Sequence, residues 1–462
     1  MDKEFLQKAK EIAQEIKKRD NFLVVTNHDA DGISSGAIIA TALSRLGKKF
    51  ETIVLKQLYS EEIDKLVGKS ENYIFIDFGS GQLSELKEKI RENFFVLDHH
   101  QPPAVEWRFH LNPLLFGVDG GLEISAAGVA YFVAKSIDEK NTDLAALAVV
   151  GAVGDMQDYG GKLVGANQEI ISDAIAAGVL SKKTGLRLYG RISRPLVQFL
   201  QFSSSPIIPM LTANEQNCHK FLAELGIELK HGEHWKSFEG LAKQEQEKLT
   251  SALIVHMHKF GVSEWKIQSL IGEVYSLVKE NKKSPLFDAK EYGTILNSCG
   301  RHSQSNVGLA VCMGDREENY LAAMALLAEH RRQLREGIEC LSQKGVEEKE
   351  FFYFFDGESK IKDSIIGIVA GMLYGSGTIQ PTKPIIALVE NPDGSLKASG
   401  RATADLIRKG LNLGKIFKEM QAELGEGTEG GGHKIAAGIK FPKEKKAEFL
   451  ALLDKKIKAQ LS

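Results

Sequence analysis

Three short apolar runs near the beginning of the chain each end in acidic or imidazole side chains. The run at 22–26 leads to Asp29 and Asp31, the run at 73–76 to Asp77, and the run at 94–97 to Asp98, His99 and His100. Helical patterns separate these runs, and strands that alternate with helices predict right-handed crossovers and a parallel sheet. The carboxyl ends of parallel strands share one edge, where ligand sites lie. We therefore expect an α/β fold with these polar side chains gathered at one sheet edge.

A fourth carboxylate, Asp155, follows Gly154 at the end of an apolar, helix-like stretch at 143–153. Asp29 and Asp31 lie two residues apart in a predicted tight loop that runs to Gly32, so they can converge on one centre or bridge two. Any one of these acids alone is better explained as a helix cap or turn former, but four in the same setting favour a metal site. Oxygen-rich sites with imidazoles and no thiolate suit Mn²⁺ or Mg²⁺, and two such ions commonly serve phosphate ester hydrolysis.

The remainder of the chain predicts two further regions. Residues 186–345 are mostly helical in pattern, including a predicted helix at 265–279 and a long one at 317–341 that would span roughly 35 to 40 Å as a connector. Residues 346–462 return to strands and helices and are locally basic. We expect a metal-binding catalytic domain at 1–185, a helical insertion with the connector at 186–345, and a C-terminal α/β domain at 346–462.

Composition sets the class of protein. The 462 residues are 43% hydrophobic and 26% charged, which is typical of a globular protein with more than one domain. No apolar run is long enough to cross a membrane, and the four cysteines form no paired motif, so we expect a cytoplasmic protein with reduced thiols. A net charge of −2 means that a polyanion would have to be held by a local basic patch.

In combination, the acidic motifs resemble the four ordered motifs of the DHH phosphoesterase superfamily. Ser399-Gly400-Arg401 and the glycine-rich stretch Gly430-Gly431-Gly432-His433 resemble the DHH-associated domain of that superfamily. The size of the chain, the long helix and Asn297-Ser298-Cys299-Gly300-Arg301 are most similar to the archaeal RecJ-like nucleases associated with GINS. The first domain would then be a DHH catalytic domain, and the last a DHH-associated substrate-binding domain.

The resemblance implies a role for each matching residue. The implied metal ligands, for two Mn²⁺ or Mg²⁺ ions, are Asp29, Asp31, Asp77, His99 and Asp155. Asp98 would support these ligands without binding metal itself, and His100 would face the scissile phosphate as a hydrogen-bond donor or acid. The implied substrate-binding residues are Ser399, Arg401, Gly431, Gly432 and His433, with Arg301 and His302 as further candidates.

His28 departs from the family pattern. In relatives the motif histidine lies four residues before the first aspartate, where this chain has Val25. His28 could therefore be an extra metal ligand, a phosphate donor with a catalytic role, or a solvated loop residue.

Three functions are compatible with these features. The leading expectation is a metal-dependent exonuclease that degrades single-stranded DNA or RNA to nucleoside 5′-monophosphates in DNA replication or repair. The second is a phosphodiesterase or phosphatase of short oligonucleotides. The third, from a different class, is a replisome scaffold that binds GINS and the replicative helicase, with cleavage secondary.

Overall fold

The computed structural model of the chain describes residues 1–158, 160–203, 206–376 and 379–461. Its helices are α1 (Lys3–Lys18), α2 (Ala30–Arg45), α3 (Ser60–Leu66), α4 (Leu83–Lys89), α5 (Ala126–Ile137), α6 (Ala145–Gly154), α7 (Ala166–Ala176), α8 (Leu196–Gln201), α9 (Glu215–Glu224), α10 (Lys243–Lys259), α11 (Glu264–Gln268), α12 (Ala289–Arg301), α13 (Ser305–Cys312), α14 (Glu318–Lys344), α15 (Ile366–Ser376), α16 (Ala404–Arg408), α17 (Leu413–Leu424) and α18 (Lys446–Leu461). Its strands are β1 (Phe22–Asn27), β2 (Phe50–Leu55), β3 (Asn72–Ile76), β4 (Phe94–Leu97), β5 (His110–Leu111), β6 (Leu180–Leu186), β7 (Lys230–His231), β8 (His234–Trp235), β9 (Ile271–Leu277), β10 (Glu347–Glu348), β11 (Tyr353–Asp356), β12 (Ile385–Glu390), β13 (Leu396–Arg401), β14 (Glu429–Gly432) and β15 (Ala436–Phe441).

The chain divides into two compact units. The first contains residues 1–193 and 263–328, and the second contains residues 194–262 and 329–462. Helix α14 begins in the first unit and ends in the second. Within the described residues, no helix is both long and apolar enough to cross a membrane.

The first unit is built on a sheet of five parallel strands in the order β2-β1-β3-β4-β5. Strands β1, β3 and β4 are buried along nearly their whole length, as expected for a parallel sheet covered on both faces. The pairing of Ile76 with both Thr26 and Leu97 brings the carboxyl ends of these three strands level. The predicted parallel sheet is therefore confirmed, and its three polar strand ends share one edge.

Small residues allow three helices to pack closely above this edge. Helix α2 is almost entirely buried, and a side chain at Gly36 would lie 2.8 Å from Cγ2 of Thr26 in β1. A side chain at Gly151 of α6 would lie 2.4 Å from Cβ of Ala127 in α5. Substitution by any larger residue would separate these elements, so the glycines let α6 deliver Asp155 beside α2.

Two local predictions differ from the structure. The loop after β1 was expected to reach Gly32, but α2 already begins at Ala30 because the side chain of Asp29 accepts a hydrogen bond from the Gly32 amide and caps the helix. The predicted helix at 265–279 is wrong: α11 ends at Gln268, and β9 pairs antiparallel with β6. Pairing with a distant strand overrides the local helical pattern there.

The second unit contains a mixed sheet in the order β10-β11-β12-β13-β15-β14. β11 and β12 are parallel, and the other neighbouring pairs are antiparallel. One face packs against α17 and α18 through Phe417 and Phe449, which are fully buried. The predicted C-terminal α/β region is confirmed.

Candidate metal centre

The predicted acidic residues converge at the carboxyl edge of the parallel sheet. Asp31 lies in the first turn of α2, Asp77 directly follows β3, and His99 follows β4. Asp155 is the residue immediately after α6. These four side chains are brought together from four elements, as the arrangement of strand ends predicts.

Two overlapping groups of ligand atoms result, each with its atoms within 4.8 Å of one another. One group consists of Asp77, His99 and His100, and the other of Asp31, His99 and Asp155. Nε2 of His99 lies 3.2 Å from Oδ1 of Asp77 and 3.8 Å from Oδ2 of Asp31. Carboxylate oxygens and imidazole nitrogens at this spacing suit Mn²⁺ or Mg²⁺, so the residues present fit such ions.

The electrostatics of the cluster also favour a bound cation. Burial raises the pKa of Asp31 and, more strongly, that of Asp77, and the charge of Asp29 acts in the same direction. Burial, reinforced by the charge of Asp31, raises the pKa of Asp155 to about 7. Burial alone would lower the pKa of His99, but the hydrogen bond to Asp77 and the charge of Asp31 raise it well above its usual range. Divalent cations would relieve this mutual repulsion.

The backbone at Asp77 is held in an unusual conformation. Its φ angle of 64° lies in the left-handed region, which residues with side chains rarely adopt. A hydrogen bond of 3.0 Å from its amide to the Leu97 carbonyl fixes the turn at the end of β3. Strained backbone of this kind clusters at functional sites, and here it directs a buried carboxylate into the centre.

Asp31 is oriented by the beginning of α5. Its Oδ2 accepts a hydrogen bond of 2.7 Å from the amide of Ala126, and its Oδ1 one of 3.0 Å from the amide of Ala127. Free amides at a helix N-terminus favour a negative charge. The carboxylate is therefore fixed in place before any metal binds.

Asp98 and His100, which flank His99 in the sequence, occupy different positions from His99. Asp98 is buried, and it accepts hydrogen bonds from the Ser80 amide (3.0 Å) and from Nδ1 of His100 (2.8 Å). Burial opposes ionisation of Asp98, but the hydrogen bond from His100 and the charges of both histidines outweigh it and hold its pKa well below the usual range. The His100 side chain is 59% exposed. Asp98 thus orients a histidine that faces solvent.

Asp29, His28 and the end of α12 form the rim of the centre within the first unit. Asp29 belongs to neither ligand group, although its charge acts on Asp31, Asp77 and Asp155. His28 is half-buried; burial lowers its pKa, the charge of Asp29 opposes this, and the charges of Lys56 and Arg301 add to the lowering.

The end of α12 lies close against the loop after β1. A side chain at Gly300 would lie 2.0 Å from the His28 carbonyl oxygen, and the Asn297 side chain accepts a hydrogen bond from the Ala30 amide. Arg301 and His302 end the helix at this point.

The predicted substrate-binding residues of the C-terminal region lie together in the second unit. Ser399 and Gly431 pair with the same residue, Gly438, from opposite sides of β15. The Arg401 guanidinium lies against α15, where a side chain at Gly367 would lie 2.1 Å from Nη2. Gly432 and His433 adjoin the first turn of α17, whose Gly414 amide donates a hydrogen bond to the His433 carbonyl.

Several polar residues behind the centre were not predicted. Oγ of buried Ser80 lies 2.8 Å from Nε2 of His110, and the Asn112 side chain donates hydrogen bonds to Ser80 and to the His100 carbonyl. Burial lowers the pKa of His110 to about 4, so this imidazole is neutral at physiological pH. Of these residues, only Ser80 has a feature in the sequence that could have pointed to it, because it lies three residues after Asp77.

Three family models match the chain. The N-terminal domain of the DHH family matches residues 21–152, the DHH-CID domain matches 188–271, and the DHHA1 domain matches 349–459. The uncharacterized protein MJ0831 of Methanocaldococcus jannaschii is 33% identical to the chain over an alignment that covers 99% of this chain and 98% of the relative.

Solved structures share the fold at low sequence identity. CDC45 from Entamoeba histolytica has a TM-score of 0.67 at 15% identity, with 98% of each chain covered. RecJ from Thermus thermophilus in complex with Mn²⁺ has a TM-score of 0.57 at 16% identity, and the match covers 98% of this chain but 55% of that one. Exonuclease RecJ bound to manganese has a TM-score of 0.58 at 17% identity, with 98% of this chain and 94% of that one covered.

The DHH and DHHA1 models match the N-terminal and C-terminal parts of the chain, as the motifs predict, and the DHH-CID model matches residues between them. The chain belongs to the DHH superfamily and shares the fold of the RecJ structures.

Proposed function

We propose that this protein is a Mn²⁺- or Mg²⁺-dependent exonuclease that hydrolyses single-stranded DNA or RNA to nucleoside 5′-monophosphates, in DNA replication or repair. The observation that carries the proposal is the convergence of Asp31, Asp77, His99 and Asp155, whose potential ligand atoms fall in two groups that share His99. DHH membership supports hydrolysis, and the similarity to RecJ structures that hold manganese supports the choice of metal.

The proposed metal ligands are Asp29, Asp31, Asp77, His99 and Asp155, and they would hold two ions. When bound, such ions neutralise the clustered carboxylates and stabilise negative charge on a phosphate undergoing hydrolysis. The buried Asp31 and Asp77 supply fixed negative charge, and the half-exposed Asp155 lies on the open side of the centre.

His100 is the proposed proton donor to the substrate. The hydrogen bond from its Nδ1 to Asp98 raises its pKa above the usual value, so the ring is more readily protonated near neutral pH. Because Nδ1 is engaged by Asp98, Nε2 is the ring atom left to donate a hydrogen bond to a phosphate oxygen or a leaving group. His28 and Arg301, at the rim, are proposed to contact substrate phosphates.

The second unit is proposed to bind the substrate. An open surface cavity of about 630 Å³ lies between α17 and the stretch from β14 to Lys434, and it is lined mainly by glycine and basic residues, among them Lys415, Lys418, Gly431, Gly432 and His433, together with Glu419. Exposed backbone amides of glycine and nearby ammonium groups bind phosphate oxygens readily. Ser399 and Arg401 lie on β13, which β15 separates from β14, and Arg401 lies against α15; they are proposed to contact the substrate separately from this cavity.

The activity is tested by incubating labelled single-stranded 20-mers of DNA and RNA with the protein and Mn²⁺, with EDTA in a parallel reaction. We expect nucleoside 5′-monophosphates from the first reaction and intact strands from the second. Strands that stay intact with Mn²⁺ would contradict the proposal. Rates that fall steeply from dinucleotides to 20-mers would favour the alternative of a phosphodiesterase for short oligonucleotides.

A scaffold function is the second candidate, because the fold is shared over full length with CDC45. Under this alternative the chain would bind GINS and the replicative helicase, and cleavage would be secondary. The clustering of Asp31, Asp77, His99 and Asp155 favours the nuclease, because a scaffold has no need of converging buried carboxylates. If the protein binds GINS but leaves every single strand intact, the scaffold function becomes the leading candidate.

We predict that stabilisation by Mn²⁺ increases with pH. Protons held by Asp155 and His99 compete with a cation, and raising the pH through about 7, the pKa of Asp155, removes the proton of Asp155. Each proton released corresponds to about a tenfold change in apparent affinity per pH unit below the pKa. Thermal unfolding at pH 6 and pH 8, with and without Mn²⁺, should show the larger increase in Tm at pH 8. Asp155→Asn should flatten this dependence, and an increase that is larger at pH 6 would contradict it.

We predict that His433→Ala weakens substrate binding more than chemistry. His433 is exposed and lies in the second unit, so its removal should raise KM for a single-stranded 20-mer by about tenfold, equivalent to one charge-assisted hydrogen bond, with kcat nearly unchanged. His219→Ala, an exposed histidine of α9, is the matched control and should leave both constants unchanged. A selective loss of kcat in His433→Ala would show that the residue acts in the chemical step instead.

A further inference from the structure

Gln157 lies in the turn after α6, two residues beyond Asp155, and its side chain is only 2% exposed. Both ends of its amide are engaged. Nε2 donates a hydrogen bond of 2.9 Å to the Gly120 carbonyl and lies 3.4 Å from Oδ2 of Asp155. Oε1 accepts a hydrogen bond of 2.8 Å from Nδ2 of Asn167, which is also buried.

The Gly120 carbonyl connects Gln157 with His99. Nδ1 of His99 lies 2.7 Å from this same oxygen. A carbonyl can only accept, so Nδ1 carries a proton whether the ring is neutral or charged. Nε2, the other ring nitrogen, is thereby turned toward Asp77 and Asp31. The Gly120 carbonyl oxygen, which orients His99, thus also accepts the hydrogen bond from Gln157.

The backbone at Gly120 has no freedom to move toward His99. A side chain at position 120 would lie 2.1 Å from the His99 carbonyl oxygen, so the two chain segments are in direct contact. The backbone N–H of Asn167 donates a hydrogen bond of 2.9 Å to the carbonyl of Glu123, three residues beyond Gly120. The hydrogen bonds of Gln157 and Asn167 therefore connect the loop around Gly120 to the C-terminal end of α6 and to the N-terminal end of α7.

The direction of these hydrogen bonds is fixed by chemistry. The two neighbours of Nε2, the Gly120 carbonyl and the Asp155 carboxylate, are acceptors, so the Gln157 amide must turn its nitrogen toward them. Its oxygen then faces Asn167, which must donate. Asn167 therefore donates to Gln157, and Gln157 donates to the Gly120 carbonyl and to Asp155.

We propose that Gln157 is a positioning residue of the metal centre: it holds Asp155 directly and His99 through the Gly120 carbonyl, and Asn167 fixes the orientation of its amide. Gln157 does not contact the metal itself. The proposal rests on the proposed function, since it concerns the same metal centre.

The test is the affinity of the purified full-length protein for Mn²⁺, measured from the electron paramagnetic resonance signal of free Mn²⁺ at constant pH. Gln157→Met keeps the side-chain volume and removes all three hydrogen bonds of the Gln157 amide. Loss of such supporting bonds typically weakens metal binding by about 10- to 100-fold. Asn167→Leu, which touches none of the proposed ligands, should weaken binding in the same direction.

Asn141→Leu is the matched control. Asn141 is a fully buried amide of the same unit that donates a hydrogen bond to the Ala134 carbonyl and accepts one from Arg45, remote from the proposed ligands. Asn141→Leu and Asn167→Leu are the same substitution at equally buried sites, so both should reduce stability. Only the second should weaken Mn²⁺ binding at temperatures where circular dichroism shows each variant folded.

The outcomes separate this inference from the proposed function. Wild-type Mn²⁺ affinity in Gln157→Met or in folded Asn167→Leu would overturn the positioning role, as would equal weakening in Asn141→Leu. If Asp77→Asn loses Mn²⁺ while Gln157→Met retains it, the inference fails and the metal assignment stands. If Asp77→Asn also binds Mn²⁺ like the wild type, the proposed metal centre itself is wrong.

Discussion

Asp77→Asn is expected to lower the rate of strand cleavage by about a thousandfold or more. Asp77 is buried, and its carboxylate lies 3.2 Å from His99, so it supplies negative charge at the middle of the proposed centre. Removing that charge without changing the volume should cost several kcal/mol of stabilisation by the metal, which corresponds to a rate loss of this size. Rates on a labelled single-stranded 20-mer with saturating Mn²⁺ measure the effect.

Asparagine is the better substitution at this position because the φ angle of Asp77 is positive. Asparagine tolerates left-handed backbone, whereas alanine would add a conformational cost of about 1 kcal/mol and confuse folding with chemistry. Asp143→Asn is the control, since Asp143 is a partly exposed carboxylate of the same unit that pairs with Arg45. Any GINS binding should survive in Asp77→Asn. Cleavage at the wild-type rate in that variant would refute the metal assignment.

His99→Ala and His100→Ala are expected to fail in different ways. His99 is 7% exposed and belongs to both ligand groups, so its removal should weaken Mn²⁺ binding by at least about 100-fold. His100 is 59% exposed and is oriented by Asp98, so its removal should lower kcat by about 100- to 1,000-fold with both metal ions still bound.

Mn²⁺ titration followed by turnover at saturating metal distinguishes the two variants. Saturating Mn²⁺ should partly restore His99→Ala, because the missing group is one ligand among several. It should not restore His100→Ala, because no metal replaces a proton donor. Equal loss of Mn²⁺ in both variants would disprove the division of roles between the two histidines.

The parallel sheet and the convergence of the motifs were predictable because both follow from chain order. Apolar runs that end in polar residues, separated by helical patterns, permit few arrangements, and strand pairing then places Asp77 and His99 on neighbouring strand ends. Asp31 and Asp155 reach the same place through the packing of α2 and α6, which their glycines allow. The resemblance of the motifs to DHH proteins named the family correctly.

Features that depend on distant contacts were not predictable. β9 was predicted as a helix because β6, the strand that it pairs with, lies almost a hundred residues earlier in the sequence. The supporting hydrogen bonds of Ser80, Asn112 and Gln157 are set by tertiary packing, and apart from the position of Ser80 three residues after Asp77, nothing in their local sequence marks them.

Crystals of the protein soaked in Mn²⁺, with diffraction data collected at the manganese absorption edge, test the central claim most directly. We predict two anomalous peaks about 3.5 to 4 Å apart, surrounded by Asp31, Asp77, His99 and Asp155. Asp77→Asn crystals treated in the same way should lack at least one of them. Peaks located elsewhere in the molecule, in a protein that still degrades single strands, would contradict the assignment of this cluster as the catalytic metal centre.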